Sequence, residues 1–506
     1  MPIREIRHNA ISRRHVAILL LSGCLLLGFW LRVHTLGRDG FRLDEAGQAL
    51  AATQPTLAGM IEVEQTHAMA LPLDYLVTRI AATIGETEFV MRFGSAIWGT
   101  VAIAIIYSLT SYLSRSNFTA LLSAFILALS PVHIYYSQEL RFYAALSAFF
   151  LLSVLMLFRA VRQTKIDRWI AFLLATLIGA YFHPFVLLSV VIGAVYYLLA
   201  ILTDTWSKAA LFRFMLSTAI IALTFLPGYL VFGAHQQYEF DLLQWSGTLP
   251  KVILGGLDWT ETFGTAEGPL MSAWLYLNLG FAVLGLLFIL FINDKTRRWW
   301  MLISFILGAI AGIGLITLAV IARGYWLLPR QLVHLSQVGI ILTAMGISGI
   351  VHGPDRPPSS KSWRSMLRLA VLGSIILFIS IAAGDKLHRY YNEPRQTGRE
   401  AAYELLDVNQ GNELIFIIPG YEWQSLAYYL EQDERGAGII MNLRPLTLEE
   451  LSANPQNDQP AFLFFRSTGS KEEEIALLEE MGFMALNEYQ LAPNRRYMLF
   501  FRESTD

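Results

Sequence analysis

The sequence predicts a mostly α-helical, polytopic membrane protein of about 11 transmembrane helices, with outer-face interfacial helices and a small C-terminal α/β domain. Three observations predict it. Hydrophobic residues make up 55% of the 506 positions and charged residues only 15%, against about 25% charged in a soluble domain. Apolar runs of roughly 20 residues, long enough to cross a bilayer, recur along most of the chain. From about residue 385 the pattern changes to short, alternating strand-like and helix-like segments.

The apolar runs place the spans at 15–35, 92–113, 117–136, 141–161, 167–182, 184–202, 211–233, 271–292, 299–322, 331–351 and 363–384. "MPIREIRHNAISRRH" followed by "VAILLLSGCLLLGFWL" has the charge order of a secretory signal. The apolar run is long and no small-residue cleavage site follows it, so it reads as an uncleaved first span. Orientation comes from lysine and arginine in the short loops. Arg4, Arg7, Arg13 and Arg14, "FRAVRQTKIDR" at 158–168, "NDKTRRWW" and "DRPPSSKSWRSMLR" all fall on one side of eleven alternating spans. That predicts a multi-pass protein of the cell (inner) membrane, its N-terminus cytoplasmic and its C-terminal domain extracytoplasmic. "LPLDYLVTRIAATIG", 71–85, is apolar but short and carries Asp74 and Arg79. As a span it would turn several basic loops outward, so it is expected to lie in the outer interface.

These features divide the chain into a membrane domain, 1–384, and an extracytoplasmic α/β domain, 385–506. In the second, "ELIFIIPG", "GAGIIMNL" and "PAFLFFRS" read as strands. "YEWQSLAYYLEQ", "LTLEELSAN" and "KEEEIALLEEMGF" read as helices, and "MALNEYQLAPNRRYMLFFRES" as a closing hairpin. The domain lacks a glycine-rich nucleotide loop, which makes it accessory rather than a second active site. The net charge of −2 argues against a nucleic-acid surface. The single cysteine, Cys24, lies in the first apolar run and cannot form an internal disulfide.

Ionisable residues at membrane depth are costly and by default mark function. Here they gather in the outer segments. "FRLDEAGQAL" carries Asp44 and Glu45 just after the first span. "SPVHIYYSQELRFYAAL" holds His133, Tyr135, Tyr136, Gln138, Glu139, Arg141 and Tyr143; "YFHPF" holds His183; "ARGYWLLPRQLVHLSQ" holds Arg323, Arg330 and His334. Each has a plainer explanation. Asp44 and Glu45 suit the start of a helix, Glu139 and Arg141 could pair with each other, the arginines could snorkel to headgroups, and His183 could be an ordinary turn residue. Convergence of these residue types in several outer segments favours a site. The histidines lack the spacing of metal ligands. A GxSxG nucleophile motif and a P-loop lysine are also missing, which argues against hydrolase and ATP-dependent chemistry.

These stretches resemble the GT-C superfamily of multispan glycosyltransferases, most of all the bacterial branch related to protein O-mannosyltransferases and the lipid A aminoarabinose transferase. "RLDEA" is similar to the acidic motif of the first outer loop. "GETEFVMRFGSAIWGTVAIAIIYSLTSYLSR", with Arg92, resembles the helix that follows, and "ALSPVHIYYSQELRFYAAL" is the most specific match. "LLPRQLVHLSQVGIIL" resembles the late P-R-Y motif with Gln331 in place of tyrosine, and "TGREAAYELL" the start of the C-terminal domain. Where relatives carry His-Pro-Pro-Leu, this chain reads "HAMALPLDYL". Pro72 and Leu73 are kept, Ala70 stands at the histidine position, and His67 lies nearby.

The resemblance implies a sugar donor linked to polyprenyl phosphate and held at the outer face, with a protein, lipid or glycan acceptor and no required cofactor or metal. It implies Asp44 as general base, supported by Glu45. Arg141 and Arg330 would hold the donor phosphate, with Arg323 and His183 behind them. Tyr136, Tyr143, Gln138, Glu139 and His67 would belong to the substrate pocket. Direct displacement of the lipid phosphate would invert the anomeric centre. The alternatives are a lipid-linked oligosaccharide ligase or polymerase and, from another class, a transporter. A transporter would place its ionisable groups near the bilayer midplane.

Overall fold

A computed structural model describes residues 2–63, 72–163, 165–232, 269–291, 297–323, 329–352, 363–392, 397–409, 413–453, 460–468, 472–492 and 495–503. In chain order, the helices of the first part are α1 (Pro2–Val33), α2 (Leu43–Thr53), α3 (Leu57–Val63), α4 (Pro72–Ala82), α5 (Glu88–Ser114), α6 (Asn117–Leu129), α7 (Pro131–Ser137), α8 (Tyr143–Gln163) and α9 (Ile166–Phe182). They continue with α10 (Leu188–Leu202), α11 (Lys208–Phe232), α12 (Pro269–Phe291), α13 (Arg297–Arg323), α14 (Ser336–His352) and α15 (Trp363–Asn392). Among the described residues, nine helices are long and apolar enough to cross a membrane. A tenth crossing forms if α6 and α7, bent by 60° at their junction, count as one.

Eleven crossings were expected; every expected run coincides with helix, but only nine helices, or ten with the bent pair, reach spanning length among the described residues. The run expected at 167–182 corresponds to α9, which has 17 residues. At about 25 Å it falls just short of the hydrocarbon thickness. α4 has 11 residues, or about 16 Å, too short to cross. α8 lies at the centre of the bundle with most of its surface buried, packed by Phe150, Val154, Leu157 and Phe158.

The break between α6 and α7 has a clear cause. Pro131 has no N–H to continue the α6 ladder, and it suits the first position of a new helix. Ser130 caps that helix, its hydroxyl accepting from the His133 N–H at 3.4 Å. The break strips the last carbonyls of α6 of helical partners, and Arg32, fully buried in the last turn of α1, takes them up. Its Nη1 donates to Gly28 O (2.8 Å) and Ala128 O (3.3 Å) and its Nη2 to Leu127 O (3.2 Å), while Nε donates to Ser137 Oγ (3.2 Å). Nη2 also meets His133 Nδ1 at 2.9 Å. A cation at a helix C-terminus is favoured by the dipole as well as by these bonds.

The C-terminal part begins with α16 (Gly398–Val408), capped reciprocally by Thr397 and Glu400. There follow β1 (Leu414–Ile418), α17 (Trp423–Glu431), α18 (Gly436–Met441), β2 (Leu443–Pro445), α19 (Leu448–Ser452), β3 (Ala461–Thr468), α20 (Glu472–Glu480), β4 (Met484–Ala492) and β5 (Arg495–Arg502). The sheet order is β2-β1-β3-β5-β4. β1 runs parallel to β2 and β3, and the closing hairpin is antiparallel. One expected strand is corrected. In "GAGIIMNL" residues 436–441 form one helical turn and only Leu443 onward is strand. A parallel neighbour of β1 needs a crossover to bring the chain back, and α17 and α18 supply it. Pro445 can sit in β2 because β2 is an edge. α15 continues past residue 384 to Asn392, so the last apolar helix passes the expected domain division without interruption.

The sheet packs on both faces. Phe416, Ile418, Leu463 and Phe465 face one cluster with α19 and α20. Ile415, Ile417, Phe462 and Phe464 face a cluster that also contains Phe41 of the loop after α1 and Ala46, Ala49 and Leu50 of α2. The domain and α2 share one core.

Arg32→Leu removes the guanidinium donors from Ala128 O and His133 Nδ1 and weakens the bonding of Leu127 O. At about 1–3 kcal/mol for each unsatisfied group, reduced by rearrangement within the bundle, it should cost about 2–4 kcal/mol. The check is a fall in melting temperature of the detergent-solubilised protein; an unchanged melt would show that water serves these carbonyls.

Candidate active site

α2 carries Asp44 and is fixed at three points. At its start, Arg92 from the first turns of α5 makes a two-pronged pair with Glu45: Nε to Oε1 and Nη2 to Oε2, both at 2.8 Å. Glu45 also accepts from the Leu140 N–H (2.7 Å) and the Arg42 N–H (3.1 Å). The remaining donors of Arg92 go to Leu36 O, Asp39 O and Gly40 O. The pair thus binds the first outer loop, α2, α5 and the turn before α8 into one unit. In the middle of α2, Gln48 Nε2 donates to Asp74 Oδ2 (2.9 Å) and Thr78 Oγ1 (2.8 Å) of α4. At its end, Arg79 of α4 donates to Ala52 O (3.0 Å), Gln54 O (2.5 Å) and Pro55 O (3.2 Å), as a cation should at a helix C-terminus.

On this mount, the Asp44 carboxylate meets Arg330 Nη2 at 2.9 Å. Arg330 belongs to the 3-10 turn Pro329–Leu335 ahead of α14. Arg141 Nη1 donates to the Asp44 carbonyl (3.3 Å) and to Gln48 Oε1 (3.4 Å). Arg42 pairs with Glu139 at 3.2 Å. The Asp44 side chain remains 42% exposed, so it is open to a ligand. Tyr136 and Tyr143 lie with ring centres 4.6 Å apart, both within electrostatic reach of Arg330. Behind Glu45 is a polar cavity of about 30 Å³ lined by Arg42, Arg92, Gln138, Glu139 and Tyr390, room for about one water.

The carboxyl groups here differ in their proton affinity. Loss of water pushes Asp44 up, but the guanidinium groups of Arg330, Arg141 and Arg42 outweigh it and hold Asp44 below its ordinary value. Burial pushes Asp74 up to about 6, despite Arg141 and the Gln48 bond. Burial likewise pushes Glu139 up to about 7, with Arg42 opposing and Glu45 reinforcing. Glu45 is held low, because Arg92 and the backbone bond from Leu140 overcome its burial.

Of the expected site residues, Asp44, Arg141 and Arg330 meet directly, and Glu139, Tyr136 and Tyr143 surround them. Glu139 pairs with Arg42 instead of Arg141. Glu45 has all its bonds within the protein, which suits support of α2. Gln138, expected in the substrate pocket, is committed to the scaffold: its amide donates to Arg32 O (3.0 Å) and His34 O (2.7 Å) and accepts from Tyr390 Oη (2.5 Å). His183 caps α9, stacks on Phe142 at 4.3 Å, and accepts from the Phe185 N–H. Burial, then His334 and Arg141, keep it neutral. Its place beside Phe142 puts it behind Arg141. The side chain of Arg323, and His67 altogether, lie outside the described residues. Asp74, Gln48 and Arg42 join the site without having been singled out. Among the described residues, no group of three or more His, Cys, Asp or Glu side chains is arranged to hold a metal ion.

Comparison with known proteins agrees with this architecture. Residues 68–230 match the sequence profile of the family described as dolichyl-phosphate-mannose-protein mannosyltransferase. No curated protein matches the chain significantly by sequence. Among solved structures, ArnT from Cupriavidus metallidurans in the apo state superposes with a TM-score of 0.58 at 12% identity, covering 97% of this chain and 98% of that one. The same protein bound to undecaprenyl phosphate gives 0.54 at 13% identity, covering 96% and 98%. The archaeal oligosaccharyltransferase AglB from Archaeoglobus fulgidus, in complex with an inhibitory peptide and a dolichol-phosphate, gives 0.55 at 11% identity, covering 96% of this chain and 74% of that one. The chain therefore has the fold of these membrane enzymes over nearly its whole length, and the segment 68–230 carries the mannosyltransferase profile.

Arg92→Ala strands the Glu45 carboxylate in the core and should cost about 3–5 kcal/mol, read as a lower melting temperature. A carboxyl held low in the folded state gives stability that is full above its unfolded pKa of about 4.3 and is lost as pH falls through the folded value. The acid-side loss of stability should accordingly shrink in the variant.

Proposed function

We propose that the protein transfers a sugar from a polyprenyl-phosphate donor to an acceptor hydroxyl at the outer face of the cell membrane, with inversion, and that Asp44 is the general base. The observation that carries this reading is the Asp44–Arg330 contact at 2.9 Å, with Arg141 alongside: one partly open carboxylate set against two guanidinium groups from different segments. The acceptor O–H gives its proton to the Asp44 carboxylate as its oxygen attacks the anomeric carbon. The bond from that carbon to the phosphate oxygen breaks, and the lipid phosphate leaves with the electron pair. Arg330 and Arg141 stabilise the charge that builds on it, since a planar guanidinium fork matches phosphate oxygens. Preorganised positive charge of this kind is often the largest catalytic contribution.

The same contact links donor binding to base strength. Without donor, Arg330 holds Asp44 low and makes it a weak base. A donor phosphate competes for the Arg330 fork, so Asp44 loses part of that restraint and its proton affinity rises when substrate is present. Tyr136 and Tyr143 line the sugar side. The outward placement of Asp44 rests on the basic loops, which put the N-terminus in the cytoplasm and the C-terminal domain outside.

Asp44→Asn should leave the melting temperature close to wild type and reduce transfer from radiolabelled polyprenyl-phosphate sugar by at least about 100-fold. Near-normal transfer would remove the base assignment. Arg141→Lys replaces a fork by a point charge and should reduce transfer by about tenfold or more; full activity would leave Arg141 a snorkelling role.

Donor affinity should also depend on pH with a definite sign. Asp74 and Glu139 gain negative charge as pH rises through about 6 and about 7, and that charge repels a phosphate. KM for the donor should rise between pH 5 and 8, and Glu139→Gln should flatten the upper part of the rise. A flat profile in the wild type would place both carboxyls too far from the phosphate to matter.

A further inference from the structure

The C-terminal domain meets the helix that carries Asp44. α17 packs on α2, and Gln424 lies against Gly47, its Oε1 2.4 Å from where a Cβ would stand. Gly47 is one helical turn beyond Asp44. Tyr421 and Glu422 come immediately before α17, and together they hold Arg466 of β3. Arg466 Nη2 donates to Tyr421 Oη at 2.7 Å, and the guanidinium lies 5.2 Å from the centre of the Tyr421 ring. Nη1 donates to Glu422. Glu422 is fully buried and also accepts from Tyr497 Oη and Ser425 Oγ, each at 3.0 Å. Arg466 is therefore fixed in position while 19% of its side chain stays open. A guanidinium has five donors. The bonds named use two of them, and the buried Nε meets no acceptor among the described residues. The charge of Arg466 also reaches Asp44, adding to those that hold its carboxyl low.

Arg330 and Arg141 come from the membrane domain, where the lipid phosphate must lie, and Arg42 is matched by Glu139. Arg466 arrives from the other domain, on β3 of its sheet. We propose that Arg466 is a specificity-determining residue of the C-terminal domain that binds an anionic group, a phosphate or a carboxylate, on the acceptor beside the hydroxyl that reacts. The proposal rests on the glycosyl-transfer reading above. It makes the α/β domain one wall of the acceptor subsite, with the Tyr421–Glu422 pair as the support that aims the arginine.

The test uses the full chain in detergent with a panel of radiolabelled polyprenyl-phosphate hexoses and pentoses. Three acceptors are compared: a neutral alkyl glucoside, its 6-phosphate and the matching alkyl glucuronide. Wild type should prefer one or both anionic acceptors over the neutral one by about tenfold or more in kcat/KM, and the better of the two identifies phosphate or carboxylate. Arg466→Gln should bring that ratio close to one, and Arg466→Lys should retain part of it; melting temperatures verify that both variants fold. Equal use of neutral and anionic acceptors by wild type, or a ratio that survives Arg466→Gln, would overturn the assignment. Release of labelled sugar to water is followed separately. If no donor in the panel is consumed, glycosyl transfer itself fails, and the acceptor assignment with it.

Discussion

The buried pair between Glu45 and Arg92 is the constraint on which the rest of the site depends. Neither group could be buried alone, because an isolated charge in a low-dielectric setting is strongly disfavoured. Together they use every oxygen lone-pair direction and donor the surroundings offer: two backbone N–H groups on one side and three loop carbonyls on the other. The loop after α1 therefore has one place to go, and α2 starts where that loop ends. Asp44, one residue earlier, is left pointing away from the pair and toward Arg330. The adjacent acids thus divide the work: one fixes the frame and the other faces the open site.

A second consequence is that the site belongs to no single element. Asp44 comes from the first outer segment, Arg141 from the turn before α8, and Arg330 from the turn before α14. The mount of α2 fixes residue 44, and the two arginines reach back to it, Arg141 to its carbonyl and Arg330 to its carboxylate. A phosphate drawing on Arg330 would leave that mount and the Arg141 bonds to α2 in place.

Much of this was legible in the sequence. All eleven apolar runs appear as helices, because a run of some 20 apolar residues has few other ways to satisfy its backbone in lipid. The candidacy of Asp44, Arg141 and Arg330 was visible for a related reason, since charges stand out against an apolar background. Arg92 entered only through the family resemblance, and its partner could not be read from spacing: Glu45 is 47 positions away. Gln138 illustrates the limit. It sits in the most specific motif of the chain, yet its contacts tie α7 to the end of α1, and a motif does not separate residues that touch a ligand from those that hold the frame. "GAGIIMNL" illustrates another. A short apolar run with glycines fits strand or helix equally well, and the need for a crossover beside β1 decides it. Arg466 carried no local signal at all, because its position depends on how the sheet docks against α2.

The junction of α6 and α7 bears on the cohesion of the bundle. Arg32 serves carbonyls 95 and 96 positions further along the chain. Its guanidinium acts as a latch between the last turn of α1 and the bent junction, so the first helix and the middle of the bundle loosen or hold together.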